Sequence, residues 1–309
     1  PGVGEGAANF ELIRRIGSGG VAEVFLARRL GPEGFEKRIA VKRLLNAYAD
    51  DKRFLAMFAY EARLSSRLDH PNIVRVHDFH VANGQYWLAM EFVDGKNLAQ
   101  VLARLREMGE SLSHELAVFL AGEICRGLDY AHQRRDERSD KPLALVHRDV
   151  APKNVMIGYD GSVKIVDFGI ANARDRARVT ATGDLRGTIP YMSPEQARGK
   201  KVGPASDIYS TGVVLFEAIS GHSWRDAADP VSALREAQSG EGSTGKLDNL
   251  KVSRALRKIL RRALAKAPRV RYASAAAMAE ALREIGSKLD DAKTFAVIVI
   301  DEDAFRAIL

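Results

Sequence analysis

The stretch His147–Gly169, HRDVAPKNVMIGYDGSVKIVDFG, decides how this chain is read. Two apolar runs, Val155-Met156-Ile157 and Val163-Lys164-Ile165-Val166, flank Gly158 to Gly161, the pattern of a short β-hairpin and its turn. Asp149 and Asn154 precede the first run and Asp167 follows the second, so two carboxylates and an amide converge at strand ends. Such oxygen donors can hold a divalent cation, and a carboxylate beside them can activate a hydroxyl. A plain hairpin with acidic ends would look the same in isolation, so the rest of the chain has to choose.

Upstream, Phe10 to Ile16 runs into Gly17-Ser18-Gly19-Gly20, and Val21 to Ala27 continues as another strand. Glycines let backbone amides come close to phosphates. A strand rather than a helix follows, which argues against a dinucleotide-binding fingerprint. In Arg38–Arg43, period-two alternation puts Ile39 and Val41 on one face and Ala40 and Lys42 on the other. Ala40 is small enough to lie against a flat base, and Lys42 is long enough to reach phosphates. A helix is expected over Arg53–Leu68, with Phe54, Met57, Leu64 and Leu68 in one apolar seam and Glu61 inside it. A carboxylate on a buried stripe is costly unless paired, and Lys42 is its natural partner.

The 309 residues can bury one large core or two modest ones. Hydrophobic content of 46% with 28% charged residues is that of a soluble globular chain. A net charge of +7 suggests acidic partners or substrates, but the densest basic run, Arg254 to Lys266, alternates with Leu256, Ile259, Leu260 and Leu264. That is an amphipathic helix with a solvated basic face; it lacks aromatic stacking residues, and no nucleic acid is expected. The single cysteine, Cys125, sits between Leu120, Ile124 and Leu128 in a helix expected around Leu116 to His132. It is expected to be a buried inert thiol in a reducing, cytoplasmic setting. No membrane segment is visible, and the first residue, Pro1, reads as the start of an excised domain, which leaves an anchor outside this fragment open. Residues 1–9 read as a flexible lead-in, residues 10–93 as a strand-dominated lobe with one helix, and residues 94–285 as a mostly helical lobe. The expected class is α+β with a cleft between the two. Gln133 to Lys141 reads as a solvent loop. The extension over residues 286–309, with a strand-like Thr294 to Ile300, has no assigned role.

Taken in order, GSGGVAEVF, the strand with Lys42, Glu61 in its helix, HPNIV from His70, HRDVAPKN, DFG from Asp167 and YMSPEQARG from Tyr191 resemble the catalytic domain of bacterial eukaryotic-type (Hanks-type) serine/threonine protein kinases. The resemblance covers roughly residues 10–285. It implies the two-lobed protein-kinase-like fold, with a small β-rich N-lobe carrying one regulatory helix and a larger helical C-lobe. It also implies ATP and Mg²⁺ as cofactors, protein serine and threonine hydroxyls as substrates, and pairing of two copies (a homodimer) for phosphorylation in trans. By the family pattern Ile16, Gly17, Ser18, Gly19, Gly20, Val24 and Ala40 enclose the nucleotide. Lys42 pairs with Glu61, Met90 is the gatekeeper, and backbone groups of Glu91 and Val93 meet the adenine edge. Asp149 is the catalytic base, Asn154 and Asp167 are the metal ligands, and Thr188 hydrogen-bonds the catalytic aspartate. Glu195 is expected to pair with Arg271, and Asp207 to anchor the catalytic-loop backbone.

Two departures stand out. The family's third loop glycine is Ala22, a small change. Serine/threonine kinases place a lysine two residues after the catalytic aspartate; Ala151 stands there, and a cation returns at Lys153, a spacing that tyrosine kinases use with arginine. The segment Gly187 to Glu195 nevertheless resembles the serine/threonine version of the substrate-binding loop. Thr180 and Thr182 stand where bacterial relatives carry activating phosphothreonines, with Arg148 as the receiving cation. Two other readings compete with this one. A pseudokinase acting as an ATP-binding scaffold is fed only by Ala151, since Lys42, Glu61, Asp149, Asn154 and Asp167 are all present. A small-molecule kinase would not call for the threonine loop, Ser193-Pro194-Glu195 or Arg271.

Overall fold

Alternating side chains in the first third of the chain build a five-stranded antiparallel sheet of β1 (Phe10–Ser18), β2 (Ala22–Leu30), β3 (Glu36–Leu44), β4 (Val76–Ala82) and β5 (Gln85–Glu91), ordered β1-β2-β3-β5-β4. The computed structural model describes residues 10–48, 50–82, 84–136, 139–168, 189–225, 229–240 and 244–286. Central β3 is covered on both faces. Ile39 and Val41 pack with Ala27 and Ala89, while Ala40 and Leu44 pack with Phe58, Ala62, Leu88 and Met90. The period-two expectation therefore holds, and Lys42 shares the face that meets the helix.

That helix, α1 (Lys52–Ser65), is shorter than expected. Its last turn tightens, with Leu68 N–H donating to the Ser65 carbonyl at 3.1 Å, because the chain turns toward Pro71 and the residue before a proline disfavours helix. The buried stripe is also rotated: Phe58 and Ala62 are buried, while Phe54 and Met57 are only half-buried. Spacing fixes a helix face but not which edge of that face meets the sheet.

The second lobe opens with β6 (Gly95–Asn97) and α2 (Leu98–Glu107), which starts in a reciprocal capping box between Asn97 and Gln100. Next comes α3 (His114–Gln133), capped by Ser113 and slightly longer than expected; its Leu120, Ile124, Cys125 and Leu128 are fully buried. Burial pushes the Cys125 thiol above its ordinary range, as expected for an inert thiol. The expected hairpin forms as β7 (Val155–Gly158) and β8 (Val163–Ile165), joined to β6 in a second sheet of order β6-β7-β8. Backbone bonds from Val74 N–H to the Ile165 carbonyl (3.0 Å) and from Ile165 N–H to the Asn72 carbonyl (2.9 Å) tie this hairpin to the entry into β4. In the Gln133–Lys141 stretch Gln133, Arg135 and Ser139 to Lys141 are exposed, while Arg134 and Asp136 are half-buried and Arg67 pins Asp136 at 2.7 Å.

Helices α4 (Pro194–Ala197), α5 (Pro204–Ser220), α6 (Pro230–Ser239), α7 (Thr244–Asn249), α8 (Arg254–Ala263) and α9 (Ala275–Gly286) complete the lobe. Almost all of α5 is buried, so it forms the centre against which α3 and α8 pack. Gly212 permits this approach: a Cβ there would lie 2.9 Å from that of Ala263. The basic run is the amphipathic helix α8, burying Leu256, Ile259, Leu260 and Ala263 while Lys258 and Arg261 face solvent.

One buried ion pair locks this lobe. Arg271 donates to both oxygens of Glu195 at 2.7 and 2.9 Å and to the carbonyls of Ala205 and Ala265, with its side chain 0% exposed. Ser206 Oγ adds a bond to Glu195 at 2.6 Å. Removing one partner would leave an uncompensated buried charge. Arg271→Met is expected to lower the unfolding free energy by about 3–5 kcal/mol in denaturant titration, while Arg269→Met, on an exposed side chain, should stay within about 0.5 kcal/mol.

Candidate active site

Three elements deliver one lysine and two carboxylates to a single point. Lys42 Nζ on β3 lies 2.9 Å from Glu61 Oε1 on α1 and 2.8 Å from Asp167 Oδ1, just after β8. Burial would lower the Lys42 pKa, but the charges of Asp167 and Glu61 outweigh it and hold the ammonium firmly protonated. Burial raises the Glu61 carboxyl above its ordinary value. For Asp167 the same burial is overcome by Lys42, and its carboxyl is held below the usual range. The pairing anticipated for Glu61 is thus present and extended to a third group. Asp167 adopts a left-handed φ of 54°, a costly conformation for a non-glycine residue that aims its carboxylate back at Lys42.

The segment around Asp149 is held from below by Asp207, in the first turn of α5 and 1% exposed. Its oxygens accept from the backbone N–H of His147 and of Arg148, both at 2.8 Å, and from His132 Nε2 at 2.8 Å. Burial would raise the Asp207 pKa; the bond from His132 leads the interactions that instead hold it below the ordinary carboxylate value. Arg148 sits at φ 66°, and its carbonyl accepts from Gln196 Nε2 at 2.6 Å. Fully buried His147 accepts the Asp149 N–H on Nδ1 (3.2 Å) and donates Nε2–H to the Val166 carbonyl (3.0 Å), which requires the neutral Nε2–H tautomer. Phe168 packs on this ring at 4.6 Å. Asn154 Nδ2 donates to the Asp149 carbonyl at 2.8 Å, fixing which end of the amide carries oxygen outward. Lys153 Nζ lies 3.8 Å from Asp149 Oδ2.

Between the lobes lies a cleft of about 420 Å³. Of the residues expected around the nucleotide, Ile16, Gly17, Val24, Ala40, Met90, Glu91 and Val93 line it, as do Lys153 and Asp167. Ser18, at the end of β1, Gly19 and Gly20, in the turn to β2, and Lys42 are not among its lining residues; Gly19 N–H is bonded to the Ala22 carbonyl at 2.8 Å. The Glu91 N–H donates to the Arg75 carbonyl at 2.8 Å, so of its backbone groups only the carbonyl is suited to the edge of a base. Thr188, Thr180 and Thr182 lie outside the described residues. Sequence reasoning missed Val74, Met156 and Val166, which supply apolar wall. For Met156 the signal was available, since alternation in Val155-Met156-Ile157 points it away from buried Val155 and Ile157. Gly95 ends the connection between lobes: a Cβ there would meet the Ile157 carbonyl at 1.9 Å, so only glycine lets β6 pair with β7. Asn154 and Asp167 offer an oxygen-only donor set, suited to a hard cation whose remaining positions are filled by phosphate oxygens and water. Among the described residues there is no cluster of three or more His, Cys, Asp or Glu that would hold a metal by protein ligands alone.

The sequence profile described as "Protein kinase domain" matches residues 10–282. The chain belongs to the protein kinase family. It is 36% identical over 273 residues to the tyrosine-protein kinase MasK of Myxococcus xanthus, covering 88% of this chain and 42% of that one. It is 34% identical over 269 residues to the serine/threonine-protein kinase PrkC of Bacillus subtilis (87% and 39% covered). To the serine/threonine-protein kinase PknA of Mycobacterium tuberculosis it is 42% identical over 222 residues (70% and 47% covered). The chain thus spans less than half the length of these curated relatives. Among solved structures, the kinase domain of Mycobacterium tuberculosis PknI superposes with a TM-score of 0.64 at 29% identity, covering 92% of this chain and 99% of that one. The α+β, two-lobed fold expected from the sequence is therefore the fold observed. Among the described residues no helix is long and apolar enough to cross a membrane.

Burial lowers the His147 pKa below the ordinary 6.5, so the folded state binds fewer protons at this ring than the unfolded state does. Its contribution to stability is complete above pH 6.5 and is lost as pH falls below that value. Unfolding free energies measured from pH 7.5 down to 5 should therefore fall more steeply for wild type than for His147→Tyr.

Proposed function

We propose that the chain transfers the γ-phosphate of ATP to serine and threonine hydroxyls of proteins. The observation that carries this is the single ammonium of Lys42 held by Glu61 at 2.9 Å and Asp167 at 2.8 Å beside a cleft of nucleotide size. The complete set Lys42, Glu61, Asp149, Asn154 and Asp167 speaks against a scaffold that only binds ATP. Bound Mg²⁺–ATP supplies the phosphoryl group and much of the charge neutralisation of its oxygens. The chain's own residues then have few tasks. Lys42 grips phosphate oxygens, and Glu61 keeps it aimed. Asn154 and Asp167 present oxygen to the metal. Asp149, fixed through its backbone by His147 and Asn154, orients the acceptor hydroxyl and takes its proton. Lys153 is half-exposed on its side chain (42%), lines the cleft and is long enough to meet the phosphate in transfer, replacing the cation lost at Ala151.

A tyrosine-directed reading has one specific support: Ala151 with Lys153, together with the name carried by MasK. The segment from Gly187 to Glu195, with Thr188, and the names of PrkC and PknA favour serine and threonine.

Labelled γ-phosphate should pass to a generic protein and to the chain itself, with phosphoserine and phosphothreonine recovered on hydrolysis. Asp149→Asn should abolish both. Equal labelling by Asp149→Asn would mean a contaminating enzyme, and phosphotyrosine alone would favour the second reading. Lys153→Ala should lower kcat by roughly 10²-fold, the scale of one transition-state charge contact, with little change in KM for ATP. An unchanged kcat would remove Lys153 from the mechanism. Phosphopeptide mapping of ATP-treated protein should find Thr180 or Thr182 modified; both bare in active protein would rule out that regulation.

A further inference from the structure

Arg225 is a cation that the phosphotransfer scheme does not use. It is 5% exposed and among the described residues has no carboxylate within ion-pair distance, Glu236 acting on it only from further away. Burying a charge without a counter-ion is costly unless dipoles replace the water it loses. Those dipoles come from two successive carbonyls and from a tyrosine on α5. Nη1 donates to the Ile189 carbonyl at 3.3 Å and to the adjoining Pro190 carbonyl, and Nη2 donates to the Tyr209 hydroxyl at 2.8 Å. Cζ lies 5.6 Å from the centre of the Tyr209 ring, and Arg271 lies over the same ring at 4.8 Å. The backbone that carries Arg225 is itself braced: Ser223 Oγ donates to the Arg225 carbonyl at 2.7 Å, and Lys246 Nζ donates to the Ser223 carbonyl at 3.0 Å. The stretch from Ile189 to Glu195 is thus fastened at its start by Arg225, in the middle by Ser210 Oγ to the Tyr191 carbonyl (2.8 Å), and at its end by Arg271 on Glu195. Two successive carbonyls turned inward toward one planar donor leave that backbone little freedom to rotate.

We propose that Arg225 is a positioning residue for the protein substrate: it clamps the Ile189–Pro190 backbone, and so sets the surface on which the acceptor peptide rests, without acting on the nucleotide. This rests on the kinase function proposed above and on the resemblance of the Gly187–Glu195 segment to the family's substrate-binding loop. Losing charge-assisted bonds of about 1.5–3 kcal/mol corresponds to roughly tenfold to a hundredfold in binding.

The test compares wild type with Arg225→Met and Arg225→Lys in the full chain. Arg225→Met should raise KM for a protein substrate by at least roughly tenfold, on the same conversion, and leave KM for ATP within about twofold. Arg225→Lys, which keeps charge but not the planar fork, should fall between the two and carries the comparison if the methionine variant does not fold. Hydrogen exchange gives a readout independent of activity. The Met192 N–H, bonded to the Ile189 carbonyl at 3.2 Å, should exchange faster in both variants. Unchanged protein KM with unchanged Met192 protection would overturn the proposal, as would a parallel rise in both KM values. A wild-type chain that transfers no phosphate would instead sink the kinase function, and the exchange comparison would still decide whether Arg225 orders this stretch.

Discussion

A carboxylate sealed in the larger lobe sets the geometry on which the site depends. Asp207 accepts an imidazole N–H from the last turn of α3 and two backbone N–H groups, of His147 and Arg148, that no regular secondary structure satisfies. Backbone donors buried without an acceptor cost about 1–3 kcal/mol each, so the carboxylate dictates where His147 and Arg148 lie. Everything at the site follows in sequence from there. His147 fixes the Asp149 amide, supports Phe168 and holds the Val166 carbonyl, so the two ends of the hairpin are registered against each other. The left-handed φ values of Arg148 and Asp167 persist because these bonds over-determine them.

Lys42 performs the corresponding task between lobes. From β3 it reaches α1 and the end of the β7–β8 hairpin through charge-assisted bonds of 2.8–2.9 Å. Such a triad is poor as a source of stability, because desolvation offsets much of the attraction. Its value lies in direction. Moving α1 away would strand Glu61 half-buried and leave Asp167 as the only partner of Lys42, so the position of α1 and the arrangement of the phosphate-facing groups are coupled. A helix whose register controls an ion pair is a natural point of regulation.

Helix α5 links these features to the substrate side. Its first turns supply Asp207 to the catalytic segment, Ser206 to Glu195, Tyr209 to both Arg225 and Arg271, and Ser210 to the Tyr191 carbonyl. One almost wholly buried helix therefore holds both the group proposed to activate a hydroxyl and the stretch proposed to present it. Precision of this kind is what positioning-dominated phosphoryl transfer requires.

Much of this was legible in the residues alone. Period-two alternation placed Ala40 and Lys42 on one face of β3, the glycine turn announced the β7–β8 hairpin, and a carboxylate on an apolar seam demanded a cation, because these signals are local or follow from the cost of burying charge. Spacing could not give the rotation of α1, which made Phe58 and Ala62 the buried pair, since that depends on the sheet it meets. Nor could it give the wall formed by Val74, Met156 and Val166, or the second contact of Lys42, with Asp167, residues 125 positions apart in the chain. Arg225 is the clearest case. In sequence it is one more arginine in a basic chain; only the fold buries it against two carbonyls and a tyrosine. The sequence by itself determined which charges must be satisfied, and the tertiary structure decided which groups satisfy them, because a buried ion takes its partners from whatever the packing brings within reach.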